Sequence, residues 1–398
     1  MSDLKIFTDN VEAEALDQIY TLIKQPAFSE CKVRIMPDCH AGKGCVIGFT
    51  ADLGEKVIPN IVGVDIGCGM LCCEIGNVDI DYSRLDSVIR KNIPAGRAVR
   101  NEEITFALLD DLYCKDKLKN MEWLKCSLGT LGGGNHFIEV DEDSDGMKYL
   151  VIHTGSRNLG KQVAEIYQQM ALDDMKGMNK LAEETQKLIA EYKATGRQKE
   201  IQRGIAELKR KWQPDKLNIP KELCYLTGEH REMYLHDMKI CQEFAKQNRR
   251  WIASLIYKGM GWEWYTEKYF QTIHNYIDHD TNIVRKGAIS AKEGEMVLIP
   301  INMRDGCIIG IGKGNEDWNC SAPHGAGRVM SRSKAKENIS LEEYQESMKG
   351  IYTTSVSQST IDESPMAYKS FDEIMDRIKD TVDVVKIIKS VYNFKASE

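Results

Sequence analysis

The chain has 398 residues, 42% hydrophobic and 28% charged, a balance that builds a sizeable core and excludes a disordered or fibrous chain. A net charge of −7 excludes a uniformly basic nucleic-acid coat but leaves room for a local basic groove. There is no apolar span of membrane length, the opening MSDLKIFTDN has no signal-peptide core, and the 12 cysteines are scattered; the sequence therefore predicts a cytoplasmic protein with reduced thiols and no membrane partner.

Residues 9–24 are expected to be helical, with Val11, Ala15, Leu16, Ile19, Tyr20 and Ile23 on one face. RIMPDCHAGKGCVIGFT follows, in which Pro37 and the glycines predict a loop before a short strand from Cys45 to Phe49. Asp38 and His40 in that loop read either as a binding pair or as a solvated, hydrogen-bonded one. Next comes NIVGVDIGCGM, Asn60 to Met70. Val57, Ile58, Ile61, Val62 and Val64 predict a buried strand delivering Asp65 and Cys68 inward, through a turn that Gly63, Gly67 and Gly69 keep tight. Such groups are costly to bury unless a cation neutralises them. The same stretch also fits a glycine turn with a capping Asp and an inert core Cys.

From Asp79 to Lys119 the pattern is mixed, with Tyr82, Leu85, Val88 and Ile89 at helical spacing. SLGTLGGGNHFIEV, Ser127 to Val140, is a glycine run opening a strand, and strand alternation sends Asn135, Phe137 and Glu139 one way and His136 and Ile138 the other. It lacks the Lys-Ser/Thr ending of a phosphate loop. Residues 148–153 form another strand, ending on His153, and Arg157 opens the loop beyond it.

From Lys161 to Lys211 the composition is strongly helical, with a turn at 194–196. Between Lys176 and Lys211 ten Lys/Arg stand against five Asp/Glu, so this hairpin reads as a nucleic-acid arm or a solvated helical pair. A long helix from Thr227 to about Lys258 carries His230 and His236 on a polar face. His274 lies in TIHNYIDHD, and Met296–Ile301 and Cys307–Ile311 read as strands. In NCSAPHGAGRVMSR, His324 stands in a glycine turn beside Arg328 and Arg332, which converge on one anion if the segment from Val329 is helical. The tail from Ser370 to Tyr392 is expected to be an amphipathic helix, capped by Ser370 and Glu373 and burying Ile374, Ile378, Val382 and Val385.

Asp65, Cys68, His136, His153, His274 and His324 each end an apolar segment or occupy a glycine turn. One buried histidine is usually a core residue; four with an acid and a thiol point to metal. The ligand types alone suggest zinc. Six candidates exceed one tetrahedral shell, so either two metals share the Cys or one His has another task.

MPDCHAGKG, VGVDIGCGM, LGTLGGGNHFIE, HTGSR, His274 with Asn275, RKGA at 285–288, HGAGRVMSR and PMAYK at 365–369 together resemble the RtcB RNA ligases, over about Met36 to Lys395. The resemblance implies an α+β fold: one large domain over residues 1–398, with mixed sheets around a buried dinuclear metal site and a helical insertion at about 161–258. It implies two manganese ions, one on Asp65, Cys68 and His136, the other on Cys68, His153 and His274. His324 would be the nucleophile guanylylated by GTP. Guanylate contacts would come from Asn135, Phe137, Glu139, Asn275, Gly325, Gly327, Tyr368 and Lys395, with Glu139 and Lys395 reading the guanine edge. Arg157, Lys286, Arg328 and Arg332 would hold RNA phosphates.

The implied reaction joins an RNA 3′-phosphate or 2′,3′-cyclic phosphate end to a 5′-hydroxyl end, for RNA repair or tRNA splicing. In one place the chain departs from the family pattern: Ile301, Asn302, Met303 and Arg304 replace a Gly-Ser-Met-Gly stretch, and Cys307 stands at a later Ser. Asn302 still offers a phosphate hydrogen bond, but nucleotide contacts there stay open. The competing classes are a dinuclear phosphohydrolase acting on RNA ends and a non-catalytic binder of RNA ends. The physiological RNA, the oligomeric state and the need for an accessory activating protein are not encoded legibly.

Overall fold

The computed structural model describes residues 2–42, 44–263 and 268–396. The chain opens with β1 (Asp3–Ile6), α1 (Ala13–Ile23), β2 (Lys32–His40) and β3 (Ile47–Asp52). Helix α1 starts at Ala13, later than its apolar spacing predicts, and buries Ala15, Ile19 and Leu22 while Tyr20 stays exposed. Pro37, Asp38 and His40 lie on a strand rather than in the expected loop. The proline is tolerated because pairing between β2 and β3 breaks between Ile35 and His40, where no ladder N–H is required.

The expected strand before Asp65 is instead a short helix, α2 (Pro59–Val62), and the strand β4 (Gly69–Gly76) begins only after the turn. Pro59 at the first helical position explains this choice, since its fixed φ suits a helix start. Helix α3 (Tyr82–Asn92) is capped by Asp81, and a short α4 (Met121–Cys126) precedes β5 (Phe137–Glu142) and β6 (Lys148–Thr154).

Four helices then follow without an intervening strand: α5 (Arg157–Met175), α6 (Met178–Ala194), α7 (Ile201–Lys211) and α8 (Gly228–Met260). Gly177, at φ 73°, makes a break between α5 and α6 that composition alone does not announce. Helix α8 spans 33 residues and buries Tyr234, Met238, Cys241, Phe244, Ile252 and Ile256. It packs on α3, α5, β4 and β6 and so joins two apolar clusters. Each fully buried side chain of this size contributes roughly 1.5–3 kcal/mol. No helix among the described residues is long and apolar enough to cross a membrane.

The remaining strands are β7 (Tyr269–Ile273), β8 (Asn275–Ile277), β9 (Ile283–Lys286), β10 (Ala288–Ser290), β11 (Met296–Asn302), β12 (Gly306–Gly312) and β13 (Ser321–Pro323). Helices α9 (Arg332–Asn338) and α10 (Leu341–Ser347), the short β14 (Tyr352–Thr353), helix α11 (Phe371–Arg377) and β15 (Val382–Lys395) complete the chain. One sheet runs β1-β2-β3-β9-β8; a larger one runs β11-β12-β15-β5-β6-β4-β7, with β14 on β15. Its edge strands β11 and β7 approach each other, so the sheet is nearly closed. The result is a single α+β domain with mixed sheets around buried His, Cys and Asp side chains.

The expected C-terminal helix is overturned beyond Arg377. Ser370 does cap α11, but VDVVKIIKSVYNFK is a strand that pairs with β12 and β5. Its β-branched residues suit a pleated surface, and the backbone bonds of two neighbours outweigh the helical spacing of Ile378, Val382 and Val385.

Candidate metal centre and adjoining cavity

The centre starts in the turn between α2 and β4. Gly67 has φ 72°, and a Cβ there would press on the α8 backbone at Gln242, 2.9 Å away. Buried Arg249 of α8 clamps the turn, its Nη1 donating to the carbonyls of Gly67 (2.9 Å) and Thr154 (2.8 Å). Ser156 Oγ donates to the Ile66 carbonyl at 2.6 Å. Held this way, Asp65 and Cys68 face three imidazoles supplied by the sheet: His136 just before β5, His153 on β6 and His274 between β7 and β8.

Cys68 Sγ lies 3.5 Å from His136 Nε2 and 3.2 Å from His153 Nε2. His153 Nε2 is 3.4 Å from His274 Nε2, and His136 Nε2 is 3.0 Å from Asp65 Oδ2. Two triads result, Asp65–Cys68–His136 and Cys68–His153–His274, each with its ligand atoms within 4.8 Å of one another. They share the sulfur.

The hydrogen-bond network assigns the tautomers. His136 Nδ1 faces the Leu131 carbonyl at 2.9 Å and His153 Nδ1 the Asn135 carbonyl at 3.2 Å, so both Nδ1 atoms donate and both Nε2 lone pairs point inward. Burial first, then neighbouring imidazoles, push His153 and His274 well below their usual range, which keeps them neutral. Burial and the Asp65 charge push the Cys68 thiol up. Asp65 Oδ1 and His274 Nδ1 have no hydrogen-bond partner among the described residues. Lone pairs, a carboxylate and a sulfur thus converge with too few protons among them, and that donor set fits divalent cations.

His324 follows β13 and opens the next turn, its ring 4.8 Å from that of His274. Asp38, fully buried on β2, accepts from His324 Nδ1 at 2.7 Å and from its backbone N–H at 3.1 Å, both on Oδ2. The ring is therefore fixed with Nδ1 protonated and Nε2 free to act as a nucleophile. Gly327, at φ 74°, lets this turn rest on the backbone of Asp38, whose carbonyl a Cβ would strike. Asp38 is the partner that the sequence left undecided between binding and solvation. His40 does not join it at the ring; its Nδ1 faces the Asp38 carbonyl at 2.9 Å.

His153, His274 and His324 open onto a cavity of about 670 Å³, a size suited to a nucleotide. Asn135, Phe137, Glu139, Asn302, Gly325, Gly327, Tyr368 and Lys395 line it, as do Arg328 and Arg332; Asn275, Cys307, Arg157 and Lys286 do not. Asn275 braces the Asp65 turn, accepting from Gly287 N–H at 3.1 Å and donating to the Asp65 carbonyl at 3.4 Å. Cys307 lies beneath Glu139, to whose Oε1 its thiol donates at 3.4 Å. Lys286 Nζ donates to the Val62 carbonyl at 3.2 Å, and Arg157 bonds Thr130 Oγ1 and the Gly96 carbonyl, so both flank the Asp65 turn. His230 and His236 pair with Asp174 (2.7 Å) and Asp237 (3.0 Å), away from the centre.

Arg328 and Arg332 do not share a helix, because α9 begins at Arg332. They converge nonetheless, on Glu363, a residue the sequence reading passed over although it directly precedes the SPMAYK stretch. Glu363 pairs with Lys395, with Arg332 at 2.5 Å and with Arg328 at 3.5 Å, and accepts from Tyr368 Oη at 2.8 Å. Burial pushes its carboxyl up, but Lys395, Arg332 and Arg328 outweigh that and hold it at about 2.

An acceptor-rich buried centre, sharing a wall with a nucleotide-sized cavity and an acid-oriented histidine, defines a metal-capable group-transfer site. The family model described as tRNA-splicing ligase RtcB matches residues 18–121 and 114–396. The chain is 30% identical over 420 residues to the RNA-splicing ligase RtcB1 of an Escherichia coli strain, covering 96% of this chain and 94% of the relative. Its identity to the RNA-splicing ligase RtcB of Escherichia coli K12 is 29%, with the same coverage. To the tRNA-splicing ligase RtcB of Aeropyrum pernix it is 26%, over 93% of this chain and 89% of the relative. The chain belongs to the RtcB family.

Proposed function

We propose that this chain is a GTP- and manganese-dependent RNA ligase that joins a 3′-phosphate or 2′,3′-cyclic phosphate end to a 5′-hydroxyl end, in RNA repair or tRNA splicing in the cytoplasm. Relatives named as RNA-splicing and tRNA-splicing ligases support the ligase reading and RNA as the partner. The observation that carries the chemistry is the Asp38–His324 pair, whose free Nε2 stands in the cavity wall beside His274 and the two triads.

In this reading His324 Nε2 attacks the α-phosphorus of GTP; the bond to the bridging oxygen breaks and pyrophosphate leaves with the electron pair. Asp38 keeps the imidazole oriented and stabilises the positive charge that develops on it. An oxygen of the RNA 3′-phosphate then attacks the same phosphorus, the N–P bond breaks, and the RNA end is capped by GMP. The 5′-hydroxyl oxygen attacks the RNA 3′-phosphorus, loses its proton and displaces GMP. A cyclic end must first be opened by water. Two manganese ions, held by Asp65, Cys68 and His136 and by Cys68, His153 and His274, would supply charge neutralisation at the phosphate oxygens when bound.

Glu139 and Lys395 read the guanine edge, while Asn135, Phe137, Asn302, Gly325, Gly327 and Tyr368 wall the nucleotide, with Asn275 and Cys307 behind that wall. Arg157, Lys286, Arg328 and Arg332 bind RNA phosphates. Incubation with radiolabelled GTP and a panel of divalent cations tests the proposal: label should attach to the wild-type chain, require a cation and vanish in His324→Ala. Trimming of RNA phosphate ends with no label on the protein would instead mark a phosphohydrolase.

A further inference from the structure

We infer that Glu139, Asp141 and Cys307, with Cys72 beside them, form a separate cation site of the zinc type inside the nearly closed sheet, beneath the floor of the cavity. Alternation along β5 turns Glu139 and Asp141 to the same inner face, and β12 brings Cys307 across to them. The three ligand atoms lie within 4.8 Å of one another, and the residues are 2%, 0% and 0% exposed. Met70, Phe137, Val151, Leu298 and Ile388 surround the group with apolar side chains, and Cys72 belongs to the same cluster.

Acceptors outnumber donors here. The single Cys307 proton goes to Glu139 Oε1, and Asn393 Nδ2 donates to Glu139 Oε2 at 2.8 Å. Among the described residues, both oxygens of Asp141 and the Oδ1 of Asn393 have no hydrogen-bond partner. Lys395 is the cation whose charge reaches Glu139, but its Nζ pairs with Glu363 rather than with Glu139. Burial, then the charge of Glu139, push the Asp141 carboxyl well up. An unpaired carboxylate in an apolar shell is costly enough that it must gain a proton or a cation. A proton would leave the second oxygen of Asp141 and the Asn393 oxygen unserved, whereas a cation engages carboxylates and sulfur together. Two oxygens with one or two sulfurs are a donor set for zinc. The site shares no ligand with the triads around Cys68. When filled, it anchors Glu139 from below, which makes Asp141 and Cys307 positioning residues for the cavity floor.

The test uses the full chain, loaded with zinc alone, desalted, and measured for metal by elemental mass spectrometry. Cys307→Ser keeps the hydrogen bond to Glu139 without the soft donor, and Asp141→Asn removes the unpaired charge at constant volume. Each should hold one zinc equivalent fewer than its parent, both in the wild-type background and in Cys68→Ala. Cobalt supplies a readout that does not depend on those two variants folding: Cys68→Ala loaded with cobalt should still show sulfur-to-cobalt charge-transfer absorption. Equal zinc content in parent and variants, or loss of all sulfur–cobalt absorption with Cys68 alone, would overturn the site. So would an Asp141→Asn chain that melts higher at unchanged metal content, the signature of a shared proton.

Discussion

Around Cys68, three imidazoles, a carboxylate and a sulfur face one another, while around Glu363 one carboxylate gathers Lys395, Arg328 and Arg332. Both groups border the same cavity, yet the first is short of positive charge and the second carries a surplus. In the proposed reaction the contrast would assign the two ends of the substrate: cations at the histidine side, and anionic oxygens at the arginine side, where Glu363 holds the basic groups in place without cancelling all of them. His324 stands between, oriented by an acid from a different sheet.

Removing the sulfur should produce the largest effect. Cys68→Ala is expected to lower ligation to background and to lose bound manganese while keeping the fold; normal ligation by that variant refutes the shared-ligand role. Asp38→Asn leaves His324 in place without its charged partner. Protein labelling by GTP should slow by about 10²-fold or more, with KM for GTP nearly unchanged. A proportional rise in KM instead would move Asp38 from orienting the nucleophile to binding the nucleotide.

Glu363→Gln tests the other side. Breaking this buried cluster should cost about 3 kcal/mol of unfolding free energy in denaturant titrations at neutral pH. The pH window follows from the depressed carboxyl, at about 2 against an ordinary 4.5. The stabilisation is complete above the unfolded value and is lost as pH falls from about 4.5 toward 2, so the wild-type advantage over Gln should shrink across that interval. An advantage that is flat with pH would mean the cluster acts by packing alone. The smallest effect belongs to Asn275→Ala, which removes a brace on the Asp65 turn: about 1 kcal/mol of stability. A large rise in KM for GTP in that variant would place Asn275 on the nucleotide instead.

Much of the helical content was legible, because α3 and α8 carry apolar residues at helical spacing and have Asp81 and Thr227 at their N-cap positions. Strands β6, β11 and β12 were legible as short apolar runs between turn residues. The tail misled for a definite reason: Ile374, Ile378, Val382 and Val385 lie at helical intervals, but a β-branched run follows the local rule only until two neighbouring strands offer it backbone bonds. Pro37 misled in the same way, since a local breaker is harmless where the partner strand has shifted register.

What the sequence determined by itself is the chemical inventory: histidines, an acid and a thiol set at strand ends and in glycine turns, because donor type and backbone freedom are properties of single residues and their immediate neighbours. What only the tertiary structure decided is the pairing. Asp38 reaches His324 across 286 positions of chain, and Lys395 reaches Glu363 from the end of β15, 32 positions further along. Partnership between charges depends on where folding leaves them, and a linear order of residues carries distance only along the chain.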